Sequence, residues 1–398
     1  MKIALFSDTF APEINGVAIH VAALKEGLES LGHEVLVVTT NPKNTTTFEE
    51  HGVLHCPSIK LKRIYGYGLS MPINMRQYHI IKKFAPDVIH IHTEFGIGLF
   101  GILVSKLLKR PVVYTLHTIY DDYVYYVVPK PLVKTGQRIF YKYIRSLYRR
   151  ATVITGPSPK SHEYLSRAGI YQNVEIIPNP VDVDRFSPEN VSLSDIARVR
   201  EKYGIPADAF LGCIVSRVGK EKSIDVLIDY IEKYAKSNDK FRFLIIGDGP
   251  AKLDLEKQAK TLKIDDIIIF TGKIPNSELL PYYATCDVFL TASLSDTNSI
   301  SMLEAMSMGL PIIQRDDPIN KGQVVENING FIFNDEASFI EKLNLVYNMP
   351  PHQRSELKAR VRNSVIHSNT KNNMAAKIVD IYRHATKLYN QSNLTHKK

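Results

Sequence analysis

In the stretch SLSDTNSISMLEAMSMGLP (293–311), the acids Asp296 and Glu304 are separated by small polar residues, and an apolar run closes at Gly309 and Pro311. Carboxylates accept hydrogen bonds from hydroxyls, so such a pair could hold a sugar and a ribose. A structural reading competes. Ser301 and Glu304 match S-x-x-E, the capping box that closes a helix start. If the helix starts earlier, near Asn298 or Ser299, its first-turn N–H groups join the two acids in one polar site. Spacing leaves both readings open.

Other residues suit an anion. SRVGKEKS (216–223) puts Arg217 at the end of a predicted strand and Lys222 near a helix start. Two cations so placed can clamp a diphosphate, at about 1.5–3 kcal/mol per charge-assisted bond; a solvated basic turn would read the same. Asn15-Gly16-Val17 stands where a long loop enters a helix. A helix N-terminus offers bare N–H groups to a phosphate, and glycine allows close approach; alternatively, Asn15 simply caps the helix. IIGDGP (245–250) and TGKIP (271–275) are strand-to-turn segments that could offer backbone groups to a flat base or be plain turns. No G-x-G-x-x-G fingerprint accompanies them.

HIHTEF (90–95) and YTLHTIYDDY (114–123) bring His90, His92, Glu94, His117 and Asp122. His-x-His on a strand puts both rings on one face, as in many metal sites, but the sequence fixes no third ligand, so no metal is expected. His117, at a strand end, reads as a proton or hydroxyl partner.

These residues need a frame. The first half alternates apolar runs with helical periodicity: IALFS (3–7), a helix carrying Val17, Val21, Leu24, Leu28 and Leu31, then EVLVVTT (34–40). Strand, helix, strand implies a parallel sheet. Further strands are expected at 88–92, 112–117, 152–156 and 174–178, and PNPVDVDRFSP (178–188) reads as a linker. The second half repeats the style at 211–218, 241–247, 266–272, 287–293, 311–315 and 330–334. A last helix, about 371–390, carries Ala375, Ile378, Ile381, Ala385 and Leu388. Two α/β domains follow, and in doubly wound sheets ligands sit beyond the carboxyl ends of the strands.

Charge is uneven. Of the net +9 over 398 residues, residues 1–180 carry 21 Lys and Arg against 13 Asp and Glu. The excess gathers in KPLVKTGQRIFYKYIRSLYRR (130–150), where Lys134, Arg138, Lys142, Arg145 and Arg149 recur at helical spacing between aromatic residues. A basic amphipathic helix of this kind suits an anionic lipid surface, each cation contributing about 1 kcal/mol. No nucleic-acid reading motif accompanies the charge. No apolar run reaches the ~18 residues of a spanning helix, and the N-terminus lacks a secretory pattern. Cys56, Cys213 and Cys286 lie far apart, which fits a reducing compartment. A cytoplasmic, peripheral protein is expected.

FSDTFAPEINGVA, HTEFGIGLFG, YTLHTIYDDY, PNPVDVDRF, SRVGKEKS, IIGDGP and LEAMSMGLPII, in this order and spanning nearly the whole chain, resemble the family-4 glycosyltransferases. Within that family the sequence is most similar to bacterial diacylglycerol glucosyltransferases, peripheral enzymes of the inner leaflet that use UDP-glucose. The resemblance implies the GT-B fold: two doubly wound, Rossmann-like domains facing a central cleft. Residues 1–180 would bind the acceptor and face the membrane, 181–370 would bind the nucleotide sugar, and 371–398 would cross back to the first domain. It also implies roles. Gly16, Arg217 and Lys222 would meet the donor diphosphate. Gly272, Lys273 and Ile274 would hold the base, and Glu304 the ribose. Asp296, Thr297, Asn298, Ser299 and Ile300 would line the donor sugar, with His117 and Asp296 at the reacting centre. The implied chemistry is retaining transfer of a hexose, glucose foremost, with a UDP-sugar as donor and no bound metal or other cofactor. Partners would be a lipid or lipid-linked acceptor and an anionic membrane surface, with no nucleic acid. Asp296 departs from the family pattern, which has Glu and then glycines; here the acid is one methylene shorter and Thr297-Asn298-Ser299 replaces the glycines. An acceptor of capsule or exopolysaccharide assembly, a non-catalytic GT-B protein that binds a partner, and an epimerase on the same fold are the rival readings.

Overall fold

A computed structural model describes residues 1–13, 15–41, 46–60, 68–70, 75–122 and 133–395. Ile14, Tyr123 and residues 130–132 of the segments singled out above lie outside them. The chain divides into two units, Met1–Pro180 with Lys371–Lys398, and Val181–Thr370.

In the first unit the expected apolar runs form β1 (Lys2–Phe6), β2 (Glu34–Asn41), β6 (Val88–Ile91), β7 (Val112–Thr115), β8 (Val153–Gly156) and β9 (Val174–Ile176), all parallel. Three strands were not expected: β3 (Phe48–Glu50), β4 (Val53–Lys60) and β5 (Gly68–Ser70). β3 and β5 are three-residue antiparallel edge pieces, where short length is tolerated, and β4, between β2 and β3, carries Pro57, which argues against a strand in the sequence. The order is β3-β4-β2-β1-β6-β7-β8-β9, with β5 on β4. From β1 the chain builds outward on one side and then resumes at β6 on the other. The switch point therefore falls between the carboxyl ends of β1 and β6.

The last helix, Lys371–Thr395, packs on this unit. Met374, Ala375, Ile378, Val379, Tyr382 and Ala385 join Ile3, Leu5, Val21, Leu24 and Leu28 in one cluster, whereas Leu388 is exposed. Gly27 on the helix Gly16–Ser30 permits the approach: a Cβ there would lie 2.6 Å from the Lys371 carbonyl oxygen. The Tyr382 hydroxyl also hydrogen-bonds His90 Nδ1 at 2.7 Å. Tyr382→Phe leaves that buried ring short of a partner, and a loss of about 1–3 kcal/mol is expected in urea unfolding.

In the second unit β10 (Phe210–Val215), β11 (Phe241–Ile246), β12 (Ile268–Gly272), β13 (Val288–Thr291), β14 (Ile312–Arg315) and β15 (Gly330–Phe333) form a parallel sheet ordered β12-β11-β10-β13-β14-β15. Its switch point lies between the ends of β10 and β13. Little of the stretch 178–188 is a free linker. Val181 and Phe186 are buried in this unit's core, and Val181 N–H donates to the Asn369 carbonyl at 2.7 Å.

Candidate active site

The two switch points gather most of the residues singled out in the sequence. In the second unit Arg217 follows β10 and pairs with Glu221, whose side chain is only 2% exposed. Lys222 Nζ donates to Asp296 Oδ1 at 2.6 Å. Both candidate phosphate cations thus carry an acid partner. Glu221 was not anticipated, because an acid between two bases reads as a solvated turn. The glycine-rich turn after β11 closes on the same place. At Gly247 (φ 145°) a Cβ would sit 1.9 Å from the Ser216 carbonyl oxygen, so only glycine lets these loops stack. Gly247 N–H donates to the Gly272 carbonyl at 3.0 Å, fixing the turn Gly272–Ile274, in which Lys273 is exposed and Ile274 packs on the core.

The ambiguity over 293–311 resolves toward the earlier start. The helix spans Ile300–Ser307 with Ser299 as N-cap, its hydroxyl accepting from Met302 N–H. The Ser301–Glu304 capping box does not form. Gln323 selects this start, accepting from Ser299 N–H at 3.0 Å and donating to the Ser299 carbonyl at 2.8 Å. Asn320 donates to the Asp296 carbonyl at 3.0 Å. Thr297 is buried and Asn298 half-buried in the loop so held. Glu304, freed from capping, is buried. It accepts from Tyr283 at 2.8 Å and Asn276 at 3.3 Å, and Arg185 donates in turn to Asn276. Burial raises the Glu304 carboxyl from 4.5 to about 7, against these hydrogen bonds. Arg185, Asn276 and Tyr283 escaped the sequence reading, although Arg185 lies within PNPVDVDRF.

In the first unit Gly16 is exposed at the first turn of its helix, and Asn15 caps that helix through Ala18 N–H at 2.9 Å. Asp8, after β1, accepts from Ile97 N–H at 2.9 Å, and its other oxygen is buried without a partner among the described residues. Burial raises its carboxyl to about 6. Glu94, after β6, is 1% exposed. Tyr120 and Tyr148 donate to its two oxygens, Tyr148 at 2.8 Å, and Tyr143 donates to its carbonyl. Its carboxyl is raised to about 7, first by burial. Tyr143 and Tyr148 come from the helix Val133–Tyr148, whose aromatic face is spent on the core and on Glu94. Lys134, Arg138, Lys142 and Arg149 remain exposed beside Ile139. Arg145 does not join them: it is half-buried and its Nε donates to the Ala168 carbonyl at 2.7 Å. The stem that reaches a neighbouring loop cannot also face lipid.

The histidines separate by environment. His90 is saturated, bonded to Tyr382 and at 2.6 Å to Thr115 Oγ1. His117 Nε2 lies 3.0 Å from His92 Nδ1, and His20, from the first helix, stacks edge-on at 4.5 Å from the His117 ring. Burial pushes His90, His92 and His117 well below the ordinary histidine value and His20 to about 4, so all four rings are neutral at pH 7. The sequence reading passed over His20, which lies inside the first helix between Val17 and Val21.

Comparison with known proteins places this geometry. Residues 14–185 match the model described as Glycosyltransferase Family 4, and residues 195–364 that described as Glycosyl transferases group 1. The alpha-monoglucosyldiacylglycerol synthase of Acholeplasma laidlawii is 34% identical over 351 residues, covering 86% of this chain and 87% of its own. The chain belongs to the family-4 glycosyltransferases. The synthase of the same name from Streptococcus pneumoniae is 31% identical over 366 residues, covering 89% of this chain and 81% of its own. Among solved structures, Anabaena HepE in complex with UDP superposes with a TM-score of 0.70 at 18% identity, over 96% of this chain and all of that one. That likeness identifies the fold of this glycosyltransferase as GT-B. No helix among its described residues is long and apolar enough to cross a membrane.

Proposed function

We propose that the glycosyltransferase moves a hexose, glucose foremost, from a UDP-sugar to the hydroxyl of a diacylglycerol-type lipid, with retention at the anomeric carbon. The observation that carries this reading is the pairing at the second switch point: a phosphate-type cation, Lys222, lies 2.6 Å from a sugar-type acid, Asp296. A nucleotide-diphosphate sugar presents those two groups side by side. Arg217 and Lys222 stabilise the charge that develops on the leaving diphosphate, so the transfer needs no bound metal. Glu304 takes the ribose hydroxyls, and Gly272–Ile274 flank the base. Asp296 to Ile300 line the sugar, and His117 serves the reacting centre as a neutral ring. Gly16 offers a bare N–H to the diphosphate. The lipid acceptor is supported by the names of the two synthases and by the exposed cations Lys134, Arg138, Lys142 and Arg149. They would hold the protein on an anionic surface, at the inner face of the cell membrane.

The test is a donor and acceptor matrix. UDP-glucose, UDP-galactose and GDP-mannose are each offered with anionic vesicles containing diacylglycerol or a polyprenyl-linked sugar. Release of nucleotide diphosphate is followed, and the product's anomeric configuration is read by NMR. An α-glucosyl diacylglycerol from UDP-glucose is expected. Transfer only to the polyprenyl-linked sugar would reassign the acceptor, a β-linked product would overturn retention, and no turnover with any donor would point to a binding protein.

A further inference from the structure

Next to the switch point of the first unit, three imidazoles converge. His20, His92 and His117 can each bring one ring nitrogen within 4.8 Å of the other two. They come from three separate segments: the first helix, the end of β6 and the end of β7. His20 and His92 are each 1% exposed, and His117 is half-buried, so the cluster has one accessible side.

The hydrogen bonding shows that these rings are unfinished. His20 Nδ1 lies 2.9 Å from Asn179 Oδ1, an oxygen that can only accept, so the proton of His20 sits on Nδ1. Its Nε2 is then a bare lone pair, buried without a partner among the described residues. His92 Nε2 is buried without a partner as well. Buried polar atoms left unpaired cost on the order of 1–3 kcal/mol each, so each of these nitrogens calls for a partner. His90 is the internal contrast: its ring lies 4.0 Å from that of His92, yet both its nitrogens are occupied.

We infer that His20, His92 and His117 form a binding site for a divalent transition metal of the zinc class. Three neutral imidazole nitrogens with no carboxylate among them select zinc, cobalt, nickel or copper over magnesium or calcium. Asn179 supplies the outer contact that a metal-binding histidine needs, fixing the tautomer of His20 with Nε2 bare. Zinc–nitrogen bonds of about 2.0–2.1 Å in a tetrahedral site place the nitrogens about 3.4 Å apart. His92 Nδ1 and His117 Nε2 stand at 3.0 Å, in a hydrogen bond that metal coordination would replace. Separations of up to 4.8 Å have to close by as much as about 1.4 Å, and His117, half-buried beyond the end of β7, is the ring placed to move. A metal bound here takes the lone pair of His117, so the site is inhibitory: occupation withdraws that ring from the transfer chemistry. Only this consequence rests on the proposed role of His117; the metal site itself rests on geometry.

Titration of the untagged full-length protein with Co²⁺, followed by visible absorption, tests the site without reference to turnover. One equivalent is expected to give the intense bands of a four-coordinate nitrogen site, and Zn²⁺ to bleach them. His92→Gln and His20→Gln should each weaken binding at least about a hundredfold, and Asn179→Ala about 10–100-fold. His51→Ala, whose side chain is 91% exposed, should bind as wild type. Far-UV circular dichroism of each variant confirms that the fold is retained. A wild-type spectrum that stays that of the aqueous ion, or bands that persist in both His92→Gln and His20→Gln, would overturn the inference.

Discussion

Lys222→Ala is expected to lower the turnover number of the glycosyltransferase by about 10²–10³-fold, the usual consequence of removing one donor from the charge developing in a transition state. The wild-type geometry makes the test specific. Lys222 is held by Asp296 at 2.6 Å, with the two side chains 15% and 24% exposed. A partly wet pair of this kind contributes at most about 1 kcal/mol to folding, so the variant should melt near the wild-type temperature while activity collapses. UDP should raise the wild-type melting temperature, since it binds only the folded state, and the rise should shrink in Lys222→Ala. Arg217→Ala should behave alike in activity but not in stability. It takes from Glu221, whose side chain is 2% exposed, its guanidinium partner, so a loss of stability is expected beside the loss of activity. Asp296→Asn separates the roles further: it removes the competitor for Lys222 but also the acid proposed to meet the sugar. UDP should bind as well as before or better, while turnover falls. Steady-state kinetics beside thermal shift reads all three. Unchanged kcat in Lys222→Ala would remove the diphosphate from this site.

The frame of the molecule could be read because the central parallel strands are apolar runs buried on both faces, such as IALF (3–6), VIHI (88–91) or FLII (243–246). β3 and β5 could not, since three-residue edge strands escape that requirement, and β4 is masked by the polar residues and Pro57 in VLHCPSIK. Within the site, legibility follows sequence distance. Arg217 and Lys222 stand in one short motif and announce themselves. The groups that orient them or their neighbours do not. His90 meets Tyr382 across 292 positions, Glu94 meets Tyr148 across 54, and Arg185 meets Asn276 across 91. Local chemistry is also degenerate. S-x-x-E at Ser301 is a sound capping box, and it loses to Ser299 because Gln323, 24 residues on, fastens that residue's backbone. The basic helix shows the same limit: periodicity placed five cations on one stripe, and Arg145 leaves it for a carbonyl 23 residues away.

Glu94 gives the second large effect, on stability against pH. Burial raises its carboxyl from 4.5 to about 7 in the folded protein, even though Tyr120 and Tyr148 donate to it. Below pH 4.5 folded and unfolded chains both hold the proton, and the carboxyl has no pH effect. Between 4.5 and about 7 the unfolded chain has released the proton and the folded one keeps it, so stability falls as pH rises. Above about 7 both are ionised and the full difference, on the order of 3 kcal/mol, stays. Asp8 and Glu304 add slopes of the same sign, to about 6 and about 7. The buried histidines act oppositely: with His20 lowered to about 4 and His90, His92 and His117 lowered as well, their contribution grows as pH rises toward 6.5 and is then constant. Whole-protein profiles mix the two, so the clean quantity is a difference. Glu94→Gln carries no titrating proton and keeps an oxygen for the tyrosine hydroxyls. Relative to wild type, its urea midpoint should improve steadily from pH 5 to pH 7.5 by the equivalent of about 2.4 kcal/mol, and a pH-independent difference would refute the buried-acid account. Tyr148→Phe sharpens the test. Without that donor the carboxylate is less well held, so in this background the pH window over which Glu94→Gln gains must shift upward.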